Sequence, residues 1–293
     1  MEQLSEDFVF SCIQPRAQES HKGSYGHVLL AAGSRRYRGA ANLAAEGALR
    51  SGAGIVTLAA IEPVIAAAAA RLPECCLLPC PKGADGGISA GAAAELLAAR
   101  EKAGVLLMGP GMGNTSDTRA LVRALVDGAA CTVVLDADGL NAAAALLAAG
   151  EALPRPAGSL ILTPHPGEMA RLTGLPVAEI EANRPGVAAQ YARAWGCTIV
   201  LKGHRTIVAA PDGRLWRNAT GNAGLARGGS GDVLAGMTAG LAACGLPAPE
   251  AAACAVWLHG AAADRCALRL GQYGMLPHDI LTDLGALFAE NCR

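Results

Sequence analysis

Short apolar runs of strand length alternate with alanine-rich stretches of helical length almost from end to end, which restricts the chain to a largely parallel sheet with helices on its faces. The strand-length runs are HVLLAA from His27, IVTLAA from Ile55, CCLLP from Cys75, VLLMG from Val105, TVVLDAD from Thr132, SLILTP from Ser159 and TIVLKG from Thr198. Between them lie ANLAAEGALRS, TRALVRALVDG and LNAAAALLAAG, and the run Ala66 to Ala70 reads as helix because Ile65 and Leu72 flank it at helical spacing. Two short runs around Asp212-Gly213 form a hairpin signal, which places an antiparallel pair late in the sheet. Beyond it only helical patterns follow. No linker rich in Pro, Gly or Ser divides the 293 residues, so one domain is expected over 1–293, with 1–20 as an N-terminal extension.

Composition narrows the interior and the partners. Hydrophobic residues make up 52% but aromatics only 3%, so the core must be built from Ala, Leu, Val and Ile in closely packed elements. A formal charge of −1 with no basic run argues against nucleic acid and acidic lipid. The uncharged stretch from Val233 to Pro249 holds three glycines and two prolines, and it reads as a buried helix and turn instead of a membrane span. The start MEQLSEDFVF has no basic region or cleavage site, so a cytoplasmic location is expected. The ten cysteines lack regular spacing and are expected as reduced thiols, and Cys75, Cys76 and Cys80 have no histidine beside them to complete a metal site.

The residues GGSGD, Gly228 to Asp232, crowd three glycines ahead of an acid and an apolar helical run. The first amides of a helix have no intrahelical partner and carry partial positive charge, so the turn reads as an anion site, with Asp232 placed as a base on the phosphate acceptor. An N-cap role for Asp232 is the alternative. In an open α/β sheet, ligands collect beyond the carboxyl ends of the strands, and further motifs stand there. They are a basic turn between Gly33 and Gly39 leading into a helix near Ala40, GPGMG from Gly109, LDADGLN, TPHPGE from Thr163 and LKGHRT from Leu201. Asp136 and Asp138 read either as ligands of metal-linked water or as helix caps, with capping favoured for Asp138. His165 is held between two prolines, and Glu168 reads as a water-mediated magnesium ligand or a helix-dipole partner. Lys202, Gly203, Arg205 and Thr206 offer donors to a phosphate, or form a polar turn between strands.

In one order, AAGSRRYRGAANLAAEGALRSGAG, MGPGMG, LDADGLN, ILTPHPGEMARL, VLKGHRT and GNAGLARGGSGDVLAG resemble the ADP-dependent NAD(P)H-hydrate dehydratases, from about Lys22 to the C-terminus. The resemblance implies a ribokinase-like fold and repair of the S epimer of hydrated NADH or NADPH, with ADP converted to AMP and phosphate. It implies Asp232 as the base and Gly231 as a stabiliser of the transferring phosphoryl group. Lys202, Gly203, His204, Arg205, Thr206 and the loop Gly228, Gly229, Ser230 and Gly231 would hold the nucleotide. Ala40, Gly111, Gly113, His165 and Asp232 would line the hydrated dinucleotide. Mg2+ would bridge the phosphates, with Glu168 nearby through water. A homotetramer is implied, as is a separate epimerase acting on the same metabolite, since no epimerase domain precedes the motifs. Arg227 stands where relatives often carry a small Thr or Ser. Two other readings of the motifs remain: a thiazole or pyrimidine alcohol kinase of the same fold, and an ADP-binding sensor without turnover.

Overall fold

The computed structural model describes residues 1–292. Its strands are β1 (Glu2–Gln3), β2 (His27–Ala31), β3 (Ile55–Ile61), β4 (Cys76–Cys80), β5 (Val105–Met108), β6 (Thr132–Leu135), β7 (Leu160–Leu162), β8 (Thr198–Leu201), β9 (Ile207–Ala209) and β10 (Leu215–Arg217). They form one sheet in the order β1-β10-β9-β8-β7-β6-β5-β2-β3-β4. Among the described residues only β9 runs against the rest, pairing antiparallel with β8 and β10, and this is the expected hairpin around Gly213. The central strands β5 and β8 are buried along their whole length, which is why they read as unbroken apolar runs and not as alternating ones.

The helices are α1 (Glu6–Cys12), α2 (Arg38–Arg50), α3 (Glu62–Arg71), α4 (Ala93–Arg100), α5 (Ser116–Val126), α6 (Asp138–Ala148), α7 (Pro166–Thr173), α8 (Val177–Ala182), α9 (Arg184–Trp195), α10 (Ser230–Ala243), α11 (Ala248–Gly274) and α12 (Ile280–Asn291). Helix α10 packs on β2, β5 and β6, and α11 on β7, β8 and β9, so these two helices from the all-helical end of the chain cover the middle of the sheet. The low aromatic content has a direct counterpart here. Helices α2 and α10 approach backbone to backbone, and a Cβ on Gly236 or Gly240 would collide with the carbonyl oxygens of Ala44 and Ala48. Only glycine and alanine permit that approach, and the closeness replaces bulk as the means of excluding water.

The N-terminal segment is integral to this fold. Strand β1 pairs parallel with β10, while Leu4 and Val9 are buried in the core. No helix of the described residues is long and apolar enough to cross a membrane. All ten cysteines are free thiols.

From β2 the sheet grows one way through β3 and β4 and the other way through β5 to β8, so the order reverses between β2 and β5. A crevice at the carboxyl ends of such a sheet is where ligands bind, and the sequence motifs all lie on that edge.

Candidate functional site

The turns after β6, β7 and β8 bring a carboxylate, a hydroxyl and an ammonium together. Asp136, 1% exposed, follows β6. Its Oδ1 accepts from Thr163 Oγ1 at 2.7 Å and from Lys202 Nζ at 2.6 Å. Lys202 Nζ also stands 3.7 Å from Glu168 Oε2, so the ammonium sits between two carboxylates. Burial opposes its charge, but Asp136 and Glu168 hold the Lys202 pKa above its ordinary value. Glu168 is pushed up by its own burial, against the pull of Lys202.

Helix α7 begins on a reciprocal cap. His165 Nδ1 accepts the amides of Gly167 at 3.0 Å and Glu168 at 3.3 Å, while Glu168 Oε2 accepts the His165 amide at 2.7 Å. With Nδ1 accepting, the neutral ring carries its proton on Nε2. Burial, then the charges of Lys202 and Arg171, lower the His165 pKa, so the ring stays a neutral Nε2–H donor at neutral pH. Glu168 therefore occupies the first-turn position weighed for it in the sequence. Among the described residues, no group of three or more His, Cys, Asp or Glu is arranged to hold a metal ion.

The turn after β6 is strained and interlocks with that after β5. Ala137 adopts φ 46°, ψ −113°, a conformation that non-glycine residues rarely take. Gly109, at φ 124°, lies where any Cβ would collide with the Asp136 carbonyl oxygen. Asp138 departs from its expected role as a helix cap. It is the first residue of α6, and its Oδ2 accepts the Gly113 amide at 2.7 Å, so it fills the GPGMG turn instead of capping its own helix. Gly111, at φ 64°, meets the start of α2, where an added Cβ would stand 2.6 Å from Tyr37 Cβ and 2.9 Å from Ala40 Cβ. Gly111 and Ala40 thus meet where the strand order reverses, between β2 and β5.

The glycine loop leads into α10 from Gly229, φ 98°, and no side chain caps the helix. The Ser230 amide donates to the Arg227 carbonyl at 3.3 Å, which leaves the amides of Gly231 and Asp232 for an anion. Asp232 is the third residue of the helix and not its N-cap. A Cβ on Gly231 would stand 3.4 Å from Lys202 Nζ and 3.9 Å from Asp136 Oδ2, so the helix start lies directly against the acid–ammonium cluster. Burial first, then the Asp136 charge, raise the Asp232 pKa to about 7, with Asp138 and Glu168 adding and Lys202 opposing.

The remaining expected nucleotide residues form an exposed turn after β8. Arg205 takes φ 58°, Thr206 Oγ1 donates to the Gly203 carbonyl at 3.0 Å, and Arg184 Nη1 donates to the His204 carbonyl at 2.6 Å. Lys202 alone of this run turns its side chain into the acid cluster. The turn meets the glycine-loop segment where the Asn218 amide donates to the Thr206 carbonyl at 2.9 Å. Sequence reasoning did not single out Thr163 as an Asp136 partner, nor Asn218, Thr220 and Asp264 as supports of the loop. Their partners are too far away in the chain for local spacing to signal them.

Fold and site define a ribokinase-like α/β protein with a glycine loop, an adjacent acid and a buried acid–ammonium cluster at the carboxyl edge of the sheet. Residues 28–285 match the family model described as NAD(P)H-hydrate dehydratase, and the chain belongs to that family. It is 44% identical over 268 residues to the bifunctional NAD(P)H-hydrate repair enzyme of Moorella thermoacetica, covering 91% of this chain and 50% of that protein. It thus spans about half the length of that relative. It is 39% identical over 276 residues to the ADP-dependent (S)-NAD(P)H-hydrate dehydratase of Bacillus subtilis, 94% of each chain. The crystal structure of the Bacillus subtilis ADP/ATP-dependent NAD(P)H-hydrate dehydratase, co-crystallised with ATP and Mg2+, superposes with a TM-score of 0.86 at 35% identity, covering 99% of this chain and 98% of that one.

Proposed function

We propose that the chain dehydrates the S epimer of hydrated NADH or NADPH, using ADP and releasing AMP and phosphate. The observation that carries this reading is Asp232, raised to about 7 in the first turn of a helix that no side chain caps, next to Gly231, whose Cβ position lies 3.4 Å from Lys202 Nζ. Hydroxide is a poor leaving group and phosphate a good one, so the ring hydroxyl is phosphorylated before it departs. Asp232 takes the hydroxyl proton as the oxygen bonds to the β-phosphorus of ADP, and the bond from that phosphorus to the AMP oxygen breaks. The amides at Gly231 and its neighbours and the Lys202 ammonium stabilise the negative charge on the transferring group. The C–O bond to phosphate then breaks as a ring proton is lost and the dihydronicotinamide double bond forms. Each turnover releases one proton net.

The Nε2–H of His165 donates to the hydrated dinucleotide, which Ala40, Gly111 and Gly113 line from the crevice. The run Lys202 to Thr206 and the loop Gly228 to Gly231 hold the adenine nucleotide. The hard oxygen donors of this edge suit magnesium, but Asp136 and Glu168 are already turned to Lys202. Mg2+ would therefore be carried by the phosphates, with Glu168 the residue of this chain that would hold it through water, and it would supply neutralisation of phosphate charge. The R epimer would first have to be converted to the S form by an epimerase activity.

Absorbance at the reduced-nicotinamide band, followed after mixing the protein with hydrated NADH, ADP and Mg2+, tests this reading. Recovery of NADH is expected from the S epimer only. No recovery, or a phosphorylated product that accumulates, would overturn it.

A further inference from the structure

The glycine loop is the end of a longer connection from β10 to α10, residues 218–229, and this connection is pinned from outside by one face of α11. At its start, Asn218 Nδ2 donates to the Val256 carbonyl at 3.3 Å and Thr220 Oγ1 to the Trp257 carbonyl at 2.9 Å. In its middle, the Gly221 amide donates to Asp264 Oδ2 at 2.8 Å and Asn222 Nδ2 to Asp264 Oδ1 at 2.9 Å, with a further bond to the Ala263 carbonyl at 3.0 Å. At its end, Arg227 Nη2 reaches the Tyr273 carbonyl at 3.0 Å. Helix and loop touch so closely that a Cβ on Gly260 would collide with Thr220.

We propose that Asp264 is the positioning residue of the nucleotide loop, its carboxylate presetting residues 218–229 so that the first amides of α10 are aligned before ADP arrives. The inference rests on the reading of the loop as the ADP site. Asp264 is the one anionic side chain among these supports, and both its oxygens are spent on the loop. Hydrogen bonds to a charged acceptor are the strong kind. The segment they hold is exposed at Ala226, Arg227 and Gly228 and rich in glycine, the residue with most conformational freedom to lose. Without the clamp, that ordering falls on the binding step and weakens it. Ser230 Oγ, at the start of α10, is buried with no partner among the described residues, a donor left for an arriving phosphoryl oxygen. On the α11 face, His259 lies against the Ser230 backbone, and burial lowers its pKa to about 4, so it puts no positive charge beneath the loop.

The test is calorimetric titration of the full chain with ADP and Mg2+, paired with amide hydrogen exchange at residues 221–232. Asp264→Ala should weaken ADP binding by about tenfold or more and speed exchange at the loop. Asp264→Asn, which keeps one acceptor oxygen, should fall between it and the parent chain. A purely structural role would lower the melting temperature and leave the Kd of the folded variant unchanged, and an unchanged Kd overturns the proposal. If the alanine variant does not fold, the asparagine variant decides, and parent-like affinity there overturns it equally. A parent chain that does not bind ADP would instead overturn the functional reading.

Discussion

Two glycine-rich turns at the same edge of the sheet have taken opposite states. At GPGMG the Gly113 amide is filled from within, by Asp138 Oδ2 at 2.7 Å, and the turn serves to lock β5 against β6. At GGSGD no side chain caps the helix, and the nearest acid is pushed up to about 7 instead of being used as a cap. The difference teaches that glycines at a strand end do not by themselves make an anion site. What matters is whether the chain supplies its own anion. Where it does, the turn shapes a wall; where it does not, the amides and the unspent acid are available for chemistry.

The contrast breaks most sharply at Asp232. Asp232→Asn should lower turnover by about 10²–10⁴-fold while ADP binding, read by calorimetry, is largely kept. The same change should improve stability at alkaline pH. Asp232 holds its proton more tightly in the folded chain, at about 7, than at its ordinary 3.8, so folding stability falls as pH rises between those values. The uncharged variant escapes that loss and should melt higher above pH 7. A smaller effect is expected from Gly231→Ala. The residue is helical and the added Cβ meets Lys202 Nζ at an ordinary 3.4 Å, so the fold should gain about 0.5–1 kcal/mol. Turnover should nevertheless drop by about tenfold or more, because the methyl enters the space where the phosphoryl group passes. Equal activity in this variant would remove the loop from the reaction. At the closed turn, Asp138→Ala should cost about 1–3 kcal/mol of stability by orphaning the Gly113 amide, measured by denaturant unfolding. It should also lower the pH midpoint of activity, since the Asp138 charge helps raise Asp232.

Much of this was legible in the chain. The seven strand-length runs lie where β2 to β8 form, because buried parallel strands must be continuously apolar and their boundaries are marked by Gly, Pro and Asp. The hairpin at Gly213 was legible for the same local reason. Strand β1 was not, since two exposed residues carry no periodic signal and their pairing with β10 lies more than 200 residues away. The site divides likewise. The motifs LDADGLN and TPHPGE stand at strand ends, and GGSGD opens a helix, as their sequence predicts, yet what each residue does there depends on partners that topology supplies. Lys202 reads as a free phosphate donor until β6 sets Asp136 beside it, and Asp138 reads as a cap until β5 sets Gly113 within its reach. The pKa of Asp232 is legible in no local pattern, because it comes from burial and from three acids on other elements.

The central claim is that Asp232 acts as the base, with its proton affinity brought close to neutrality by burial first and then by the charges of Asp136, Lys202, Asp138 and Glu168. The most direct measurement is kcat/KM for hydrated NADH from pH 5 to 9 at saturating ADP and Mg2+. The account predicts a rise through a midpoint near 7 that disappears in Asp232→Asn. A profile that is flat, or that rises near the ordinary carboxylate pKa, would contradict it.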